Sequence, residues 1–132
     1  GQLTSLTFSL SLNANSFQGS LPSQICGLSL LNSFFLIYEN QFTGLLPSQI
    51  GLLTAMQSAI VISSNMFSGS LPTQIGRLTL LTSNFHFDSN SFNGSLPSQL
   101  GKLTLFNSFF DLSSNRFSFN IPSELGLMTN MN

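Results

Sequence analysis

The chain has 132 residues, of which 42% are hydrophobic and only 5% are charged, so it can form a core beneath a surface made polar by hydroxyl and amide groups. Its three basic and four acidic residues give a net charge of −1, which excludes a basic patch for nucleic acid or for an anionic membrane surface. One cysteine excludes an internal disulfide, and the longest apolar stretch is shorter than the roughly 20 residues that span a bilayer.

The first predicted element is a short strand, and equivalent strands follow every 25 residues. Phe85 and Phe87 alternate with His86 and Asp88, which is typical of a strand with one buried face. The other buried pairs are Leu10 and Leu12, Phe35 and Ile37, Ile60 and Ile62, and Phe110 and Leu112. One short strand cannot form a core alone, so we expect the strands to lie side by side in parallel, about 4.8 Å apart.

Four residue types recur after each strand in the same register. We expect the Asn to turn inward and satisfy backbone groups, and the Phe to stack into a spine between coils. The Gly residues allow tight corners, and the Pro fixes φ where no sheet needs its N–H. The series are Asn15, Asn40, Asn65, Asn90, Asn115; Phe17, Phe42, Phe67, Phe92, Phe117; Gly19, Gly44, Gly69, Gly94, then Phe119; Pro22, Pro47, Pro72, Pro97, Pro122; and Gly1, Cys26, Gly51, Gly76, Gly101, Gly126.

The segments LLPSQIG at 45–51, SLPTQIG at 70–76, SLPSQLG at 95–101 and NIPSELG at 120–126 resemble one known motif. It is the LxxLxxLxLxxNxLxGxIPxxLGx motif of the plant-specific class of leucine-rich repeats, as in receptor-like ectodomains and related algal repeat proteins. The resemblance implies a leucine-rich-repeat solenoid, a right-handed superhelix with a parallel β-sheet on the concave face and a 3₁₀ or irregular convex side. Each unit has one extra residue before the strand, between Leu81 and Phe85 for example, so we expect a slightly wider corner there.

The predicted organisation is a single solenoid segment over residues 1–132. Its repeats cover 1–25, 26–50, 51–75, 76–100 and 101–125, and a sixth begins at 126–132. Because solenoid ends expose the core unless they are capped, we expect either further repeats on both sides or partner subunits at the uncapped ends.

The resemblance implies that a ligand binds the concave face, through the strand residues that point away from the core. The three outward rows are Ser9, Phe34, Ala59, Asn84, Phe109; Ser11, Leu36, Val61, His86, Asp111; and Asn13, Tyr38, Ser63, Asp88, Ser113. The candidate ligand-binding residues are Phe34, Leu36, Tyr38, Val61, His86, Asp88, Phe109 and Asp111. Exposed apolar groups among them favour a contact surface, unless the extra residue shifts the strand start and turns Phe34 and Phe109 inward.

The predicted position of His86 is beside Asp111 on the next strand and near Asp88 on its own strand. Two neighbouring carboxylates favour the charged form of a histidine. The alternatives are an exposed cross-strand ion pair worth under about 1 kcal/mol, a ligand contact, a metal site or part of an acid/base pair. We expect no catalytic residues, no metal and no cofactor.

Two further residues and one series of residues carry groups that could be modified or bind a ligand. Asn93 opens the only N-glycosylation sequon, Asn93-Gly94-Ser95, in a predicted turn. Cys26 is expected to be a small, half-buried thiol rather than a reactive one. Hydroxyl side chains also recur on one face, at Thr4, Ser29, Thr54, Thr79, Thr104 and Thr129.

The predicted function is a non-catalytic recognition or scaffold module, extracellular or at the cell surface, whose concave face binds a protein, peptide or glycan. Nucleic-acid binding and membrane insertion by this segment are not expected. The alternative is a structural or accessory subunit that packs against other chains in a filament or complex. Ice binding through the hydroxyl series is the third possibility.

Overall fold

A computed structural model of the chain describes residues 5–131, which form coils that each contain two short strands and one 3₁₀ turn. In chain order the strands are β1 (Ser9–Ser11), β2 (Gln18–Ser20), β3 (Phe34–Leu36), β4 (Gln41–Leu45), β5 (Ala59–Val61), β6 (Met66–Gly69), β7 (Phe85–His86), β8 (Ser91–Gly94), β9 (Phe110–Asp111) and β10 (Arg116–Phe117). The 3₁₀ turns are η1 (Ile25–Gly27), η2 (Ser48–Leu52), η3 (Thr73–Arg77), η4 (Ser98–Lys102) and η5 (Ser123–Leu127).

The odd-numbered strands form one parallel sheet in the order β1-β3-β5-β7-β9, as the repeat predicts. Its register follows the sequence spacing, since Leu36 pairs with Val61 and His86 pairs with Asp111. Consecutive coils therefore place equivalent side chains directly beside one another on the concave face.

The even-numbered strands form a second parallel sheet, in the order β10-β8-β6-β4-β2, which the sequence analysis did not predict. These strands contain Gly19, Gly44, Gly69 and Gly94 and show no regular alternation of apolar and polar residues. Without that alternation a strand gives no period-two signal, so the sequence predicts irregular chain at these residues.

The asparagine series forms the ladder that the sequence predicts. Asn65 Nδ2 donates to the carbonyl oxygens of Ile37 at 3.0 Å and of Ile62 and Ser63 at 3.2 Å, and its Oδ1 accepts the Phe42 N–H at 3.0 Å. Asn40, Asn90 and Asn115 repeat this pattern. Each ladder residue thus joins its own coil to the preceding one.

The predicted phenylalanine spine is also confirmed. The rings of Phe17, Phe42, Phe67, Phe92 and Phe117 stack with centroids 6.0–6.2 Å apart and planes within 15° of parallel. Phe67 and Phe92 are fully buried. The spine fills the interior behind the second sheet.

The two glycine series have different physical roles, which corrects the expectation that both make tight corners. Gly44 has φ +76°, a left-handed backbone that favours glycine. Gly76 has no positive φ, but a Cβ there would clash with the Gln99 backbone carbonyl of the next coil. Cys26 occupies this second series and is completely buried rather than half-buried.

The extra residue of each repeat lies in a corner that is bonded from coil to coil. The backbone N–H of Gln57 donates to Asn32 O at 2.7 Å, Thr82 N–H to Gln57 O at 2.7 Å, and Asn107 N–H to Thr82 O at 2.8 Å. The longer corner therefore adds a row of hydrogen bonds ahead of the concave strands, and the coils stack without interruption.

Candidate functional site

A groove of about 550 Å³ lies over the concave sheet, and we treat it as the candidate site. Its walls come from β3, β5, β7 and β9 and from residues that flank these strands. The lining residues are Phe34, Leu36, Tyr38, Glu39, Ala59, Val61, Ser63, Asn84, His86, Asp88 and Asp111. Seven of the eight predicted ligand-binding residues are among them, and their role in binding stays a prediction.

The apolar part of the groove lies on β3 and β5. Leu36, Tyr38 and Val61 are half-buried, so each keeps part of its side chain open to the groove. Phe34 is also half-buried and contacts Phe8 edge-on, with ring centroids 5.8 Å apart. Such partly open apolar side chains can be buried further by a ligand.

The structure decides between the two orientations considered for Phe34 and Phe109. Phe34 lines the groove, while Phe109 is 68% exposed and stacks beside His86 with centroids 6.3 Å apart. The inward positions belong to the next residues, Phe35 and Phe110, which pack in the core. The alternative in which Phe34 and Phe109 turn inward is therefore wrong.

The charged part of the groove lies on β7 and β9. His86 Nδ1 is 3.9 Å from Asp88 Oδ1, and the two side chains are 30% and 21% exposed. This contact lies within one coil, between β7 and the residues that follow it, so the cross-strand ion pair considered for His86 and Asp111 is not the one formed, although these two residues are in register as predicted.

Asp111 is held mainly by its own chain segment. Its Oδ1 accepts the Ser113 N–H at 2.8 Å, and this hydrogen bond, helped by the Ser113 side chain and to a smaller extent by His86, lowers the pKa of the Asp111 carboxyl group. A local hydrogen bond thus fixes the carboxylate at the end of the groove.

Three side chains in the groove could hold a cation. His86, Asp88 and Asp111 each offer one ligand atom, and these atoms lie within 4.8 Å of one another. Within residues 5–131 no other group of this kind occurs. The three groups could provide nitrogen and oxygen ligands for a divalent metal.

Four groove residues are not among the predicted ligand-binding residues: Glu39, Ala59, Ser63 and Asn84. Glu39 follows Tyr38 with φ +52°, so its side chain does not continue the alternation of the strand and belongs to none of the three predicted rows. Asn84 was placed in a row but not chosen as a candidate. Its φ of +52°, a conformation that Asn tolerates better than most residues, bends the chain just before β7.

The remaining candidates lie away from the groove. Asn93 is exposed and lies in β8, not in a turn as predicted. Burial raises the pKa of the Cys26 thiol to about 12, so the thiol stays protonated and unreactive. The hydroxyl residues Ser29, Thr54, Thr79, Thr104 and Thr129 are exposed, and Thr4 lies outside the described residues.

Comparisons with known proteins extend these observations. A family model described as Leucine Rich Repeat matches residues 108–128. The Arabidopsis receptor kinase HAESA, in complex with the peptide hormone IDA and the co-receptor SERK1, matches with a TM-score of 0.88 at 32% identity, over 99% of this chain and 21% of that chain. The chain has the leucine-rich-repeat fold. The predicted resemblance to plant-type repeats is thereby confirmed.

Two further solved structures are similar to this chain. The PEPR1–AtPEP1 complex has a TM-score of 0.84 and 34% identity, over 92% of this chain and 17% of that chain. The BIR3–SERK2 complex from Arabidopsis thaliana has a TM-score of 0.77 and 33% identity, over 88% and 60%. The chain thus spans less than two thirds of each of these proteins. No curated protein matches it, and residues 5–131 contain no helix that is long and apolar enough to cross a bilayer.

Proposed function

We propose that this leucine-rich-repeat protein is a recognition module that binds a peptide or an extended protein segment in its concave groove. The main support for the proposal is that four adjacent parallel strands line one groove, and that the side chains lining it differ from coil to coil. The structural similarity to HAESA in complex with a peptide hormone and a co-receptor supports the same function.

The geometry favours an extended ligand. Each coil offers only two or three outward side chains, so affinity requires contacts with several coils at once. Leu36, Tyr38 and Val61 would supply apolar contact area, and His86 and Asp111 would supply polar contacts that orient the ligand. A ligand lying across the strands would touch all four coils.

We further propose that the module is non-catalytic and works outside the cell. The contact made by His86 is with the Asp88 carboxylate, not with a nucleophile. An extracellular location is supported by the similarity to the HAESA and PEPR1 complexes. Expression through a secretory pathway tests whether the Asn93 sequon is used there. The expected result is a loss of mass after glycan removal that is absent in Asn93→Gln, whereas an unmodified Asn93 would contradict use of the sequon.

The test of the groove is a matched pair of variants. Peptides that bind the chain are first selected from a random library, and their dissociation constants are measured by fluorescence anisotropy. Combined replacement of Tyr38, His86 and Asp111 by alanine should abolish binding and leave the circular dichroism spectrum unchanged. Replacement of Arg77 and Lys102, which end convex turns, should leave binding unaffected.

Binding that survives the groove variant would show that the site lies elsewhere. Size-exclusion chromatography on the same samples examines the alternative of a structural subunit. A dispersed monomer supports recognition in the groove, whereas concentration-dependent assembly that blocks peptide binding supports the alternative.

A further inference from the structure

The few charged side chains of this chain are separated between its faces. Three of the four acidic residues, Glu39, Asp88 and Asp111, line the groove. None of the three basic residues does: Arg77 and Lys102 end the convex turns η3 and η4, and Arg116 lies in β10 of the second sheet. A concave surface that concentrates negative charge attracts cationic ligands and repels anionic ones.

The groove also changes character along the solenoid axis. In the middle outward row, Leu36, Val61, His86 and Asp111 lie side by side in register on β3, β5, β7 and β9. The first two positions are apolar and the last two are ionisable. Asp88 lies beside this second pair, at 3.9 Å from His86.

We propose that the groove selects an extended peptide segment that carries an apolar side chain and, four residues away, an arginine or lysine. This inference rests on the proposed function and specifies its ligand. The apolar side chain lies against Leu36, Tyr38 and Val61, and the basic side chain pairs with the carboxylates of Asp88 and Asp111.

The spacing of four follows from the geometry of the two chains. Three strand steps of about 4.8 Å separate Leu36 from Asp111, which gives about 14 Å. An extended peptide advances about 3.3 Å per residue, so four residues cover about 13 Å. Alternate side chains of an extended chain point to the same side, and an even separation therefore directs both anchors toward the sheet.

Arginine fits the charged end better than lysine does. Its planar guanidinium group donates several N–H bonds and can bind a carboxylate in bidentate fashion. Asp111 offers a second carboxylate oxygen beyond the one bonded to Ser113 N–H. The position between the anchors lies over Val61 and suits a small apolar residue.

The probe is a peptide with a neutral fluorescent dye on its N-terminus and an amidated C-terminus, with phenylalanine, valine and arginine at alternate positions and serine between them. Two matched peptides carry glutamate in place of the arginine, or one additional serine before it. Titration by fluorescence anisotropy in the presence of EDTA should show at least tenfold weaker binding of the glutamate peptide, which corresponds to about 1.4 kcal/mol. The lengthened peptide should bind several-fold more weakly.

Two variants of the protein locate the charge preference. Asp88→Asn combined with Asp111→Asn should remove the difference between the arginine and glutamate peptides. Glu124→Gln, which removes the acidic residue in η5 outside the groove, should leave the difference intact. In the unaltered protein, the preference for the arginine peptide over the glutamate peptide should decrease as the salt concentration rises, because salt screens ionic pairs at a half-open site.

The outcomes separate this inference from the proposed function. Equal affinity for the arginine and glutamate peptides would overturn the charge preference and leave peptide recognition standing. Groove-binding library peptides that lack a basic residue would also overturn the charge preference and leave peptide recognition standing. A library that yields no groove-binding peptide would overturn both, and a preference that vanishes in EDTA would overturn direct pairing in favour of a metal held by the three ionisable groups.

Discussion

The interior of this solenoid and its concave face follow opposite patterns. In the interior, the same asparagine and phenylalanine recur every 25 residues and make the same contacts in successive coils. On the concave face, Leu36, Val61, His86 and Asp111 occupy equivalent positions but change from aliphatic to ionisable side chains. Interior positions meet the same neighbours in every coil, whereas concave positions face an open groove. Stability and recognition can therefore be varied independently, and the predictions below test that separation.

The largest expected effect is at the centre of the phenylalanine spine. Phe67→Ala should lower the free energy of unfolding by about 4 kcal/mol, because it empties a fully buried site between two stacked rings. Urea denaturation followed by circular dichroism measures this loss. Phe17→Ala is the control: Phe17 is 45% exposed and stacks on Phe42, so less than half of the loss is expected. Equal losses would contradict the account of the spine.

The next effect concerns the asparagine ladder. Asn65 is only 9% exposed, and Asn65→Ala should cost about 3 kcal/mol because it leaves the Phe42 N–H without a partner and removes the hydrogen bonds that the Asn65 Nδ2 donates to three carbonyl groups. Asn15→Ala should cost clearly less, since Asn15 is exposed and its Nδ2 donates within its own coil. Denaturation curves of both variants provide the measurement. If the two substitutions cost the same, the ladder does not couple the coils.

A smaller effect of opposite sign is expected at Phe119. This residue occupies the glycine position of the other coils with φ +69° and is 84% exposed. Its side chain therefore contributes little packing energy, while its left-handed backbone is strained. Phe119→Gly should raise the free energy of unfolding by about 1 kcal/mol. Thermal melting of the variant beside the unaltered protein measures the difference. A lower melting temperature would show that the Phe119 ring contributes more by packing than its backbone costs.

The smallest predicted effect is a pH dependence on the concave face. The folded-state pKa of Asp111 is lowered, chiefly by the Ser113 N–H. The carboxylate therefore adds stability above the pKa of an unfolded aspartate, and this contribution is lost as the pH falls through the lowered folded value. Melting temperatures of the unaltered protein and Asp111→Asn should differ slightly at pH 7 and converge in acid. A difference that grows on acidification would contradict this assignment.

Most of the interior could be predicted from sequence, because each coil repeats the same residue types at a fixed spacing. The concave sheet, the ladder and the spine follow from that repetition. The second sheet could not be predicted, since strands such as Gln41–Leu45 show no regular alternation of apolar and polar residues.

The candidate site could be predicted only in outline. The alternation of side chains along a strand predicts that Leu36 and His86 face the groove. It makes no prediction for Glu39, which lies beyond the strand with a left-handed backbone. The partner of Asp111 was also missed. The Asp111 carboxylate accepts a hydrogen bond from the Ser113 N–H, two residues away, and this bond lowers its pKa more than the neighbouring His86 does. Whether a side chain bonds the nearby backbone or a neighbouring side chain depends on its geometry, which the spacing of residues in the sequence does not describe.

The central claim, that the groove on the concave sheet is the binding surface, is tested most directly by nuclear magnetic resonance. Amide spectra are assigned and recorded during titration with a library-selected peptide. We predict that chemical-shift changes concentrate in residues 34–39, 59–63, 84–88 and 109–111, with little change in the convex 3₁₀ turns η2, η3 and η4. Changes confined to those turns, with the concave strands unaffected, would contradict the account.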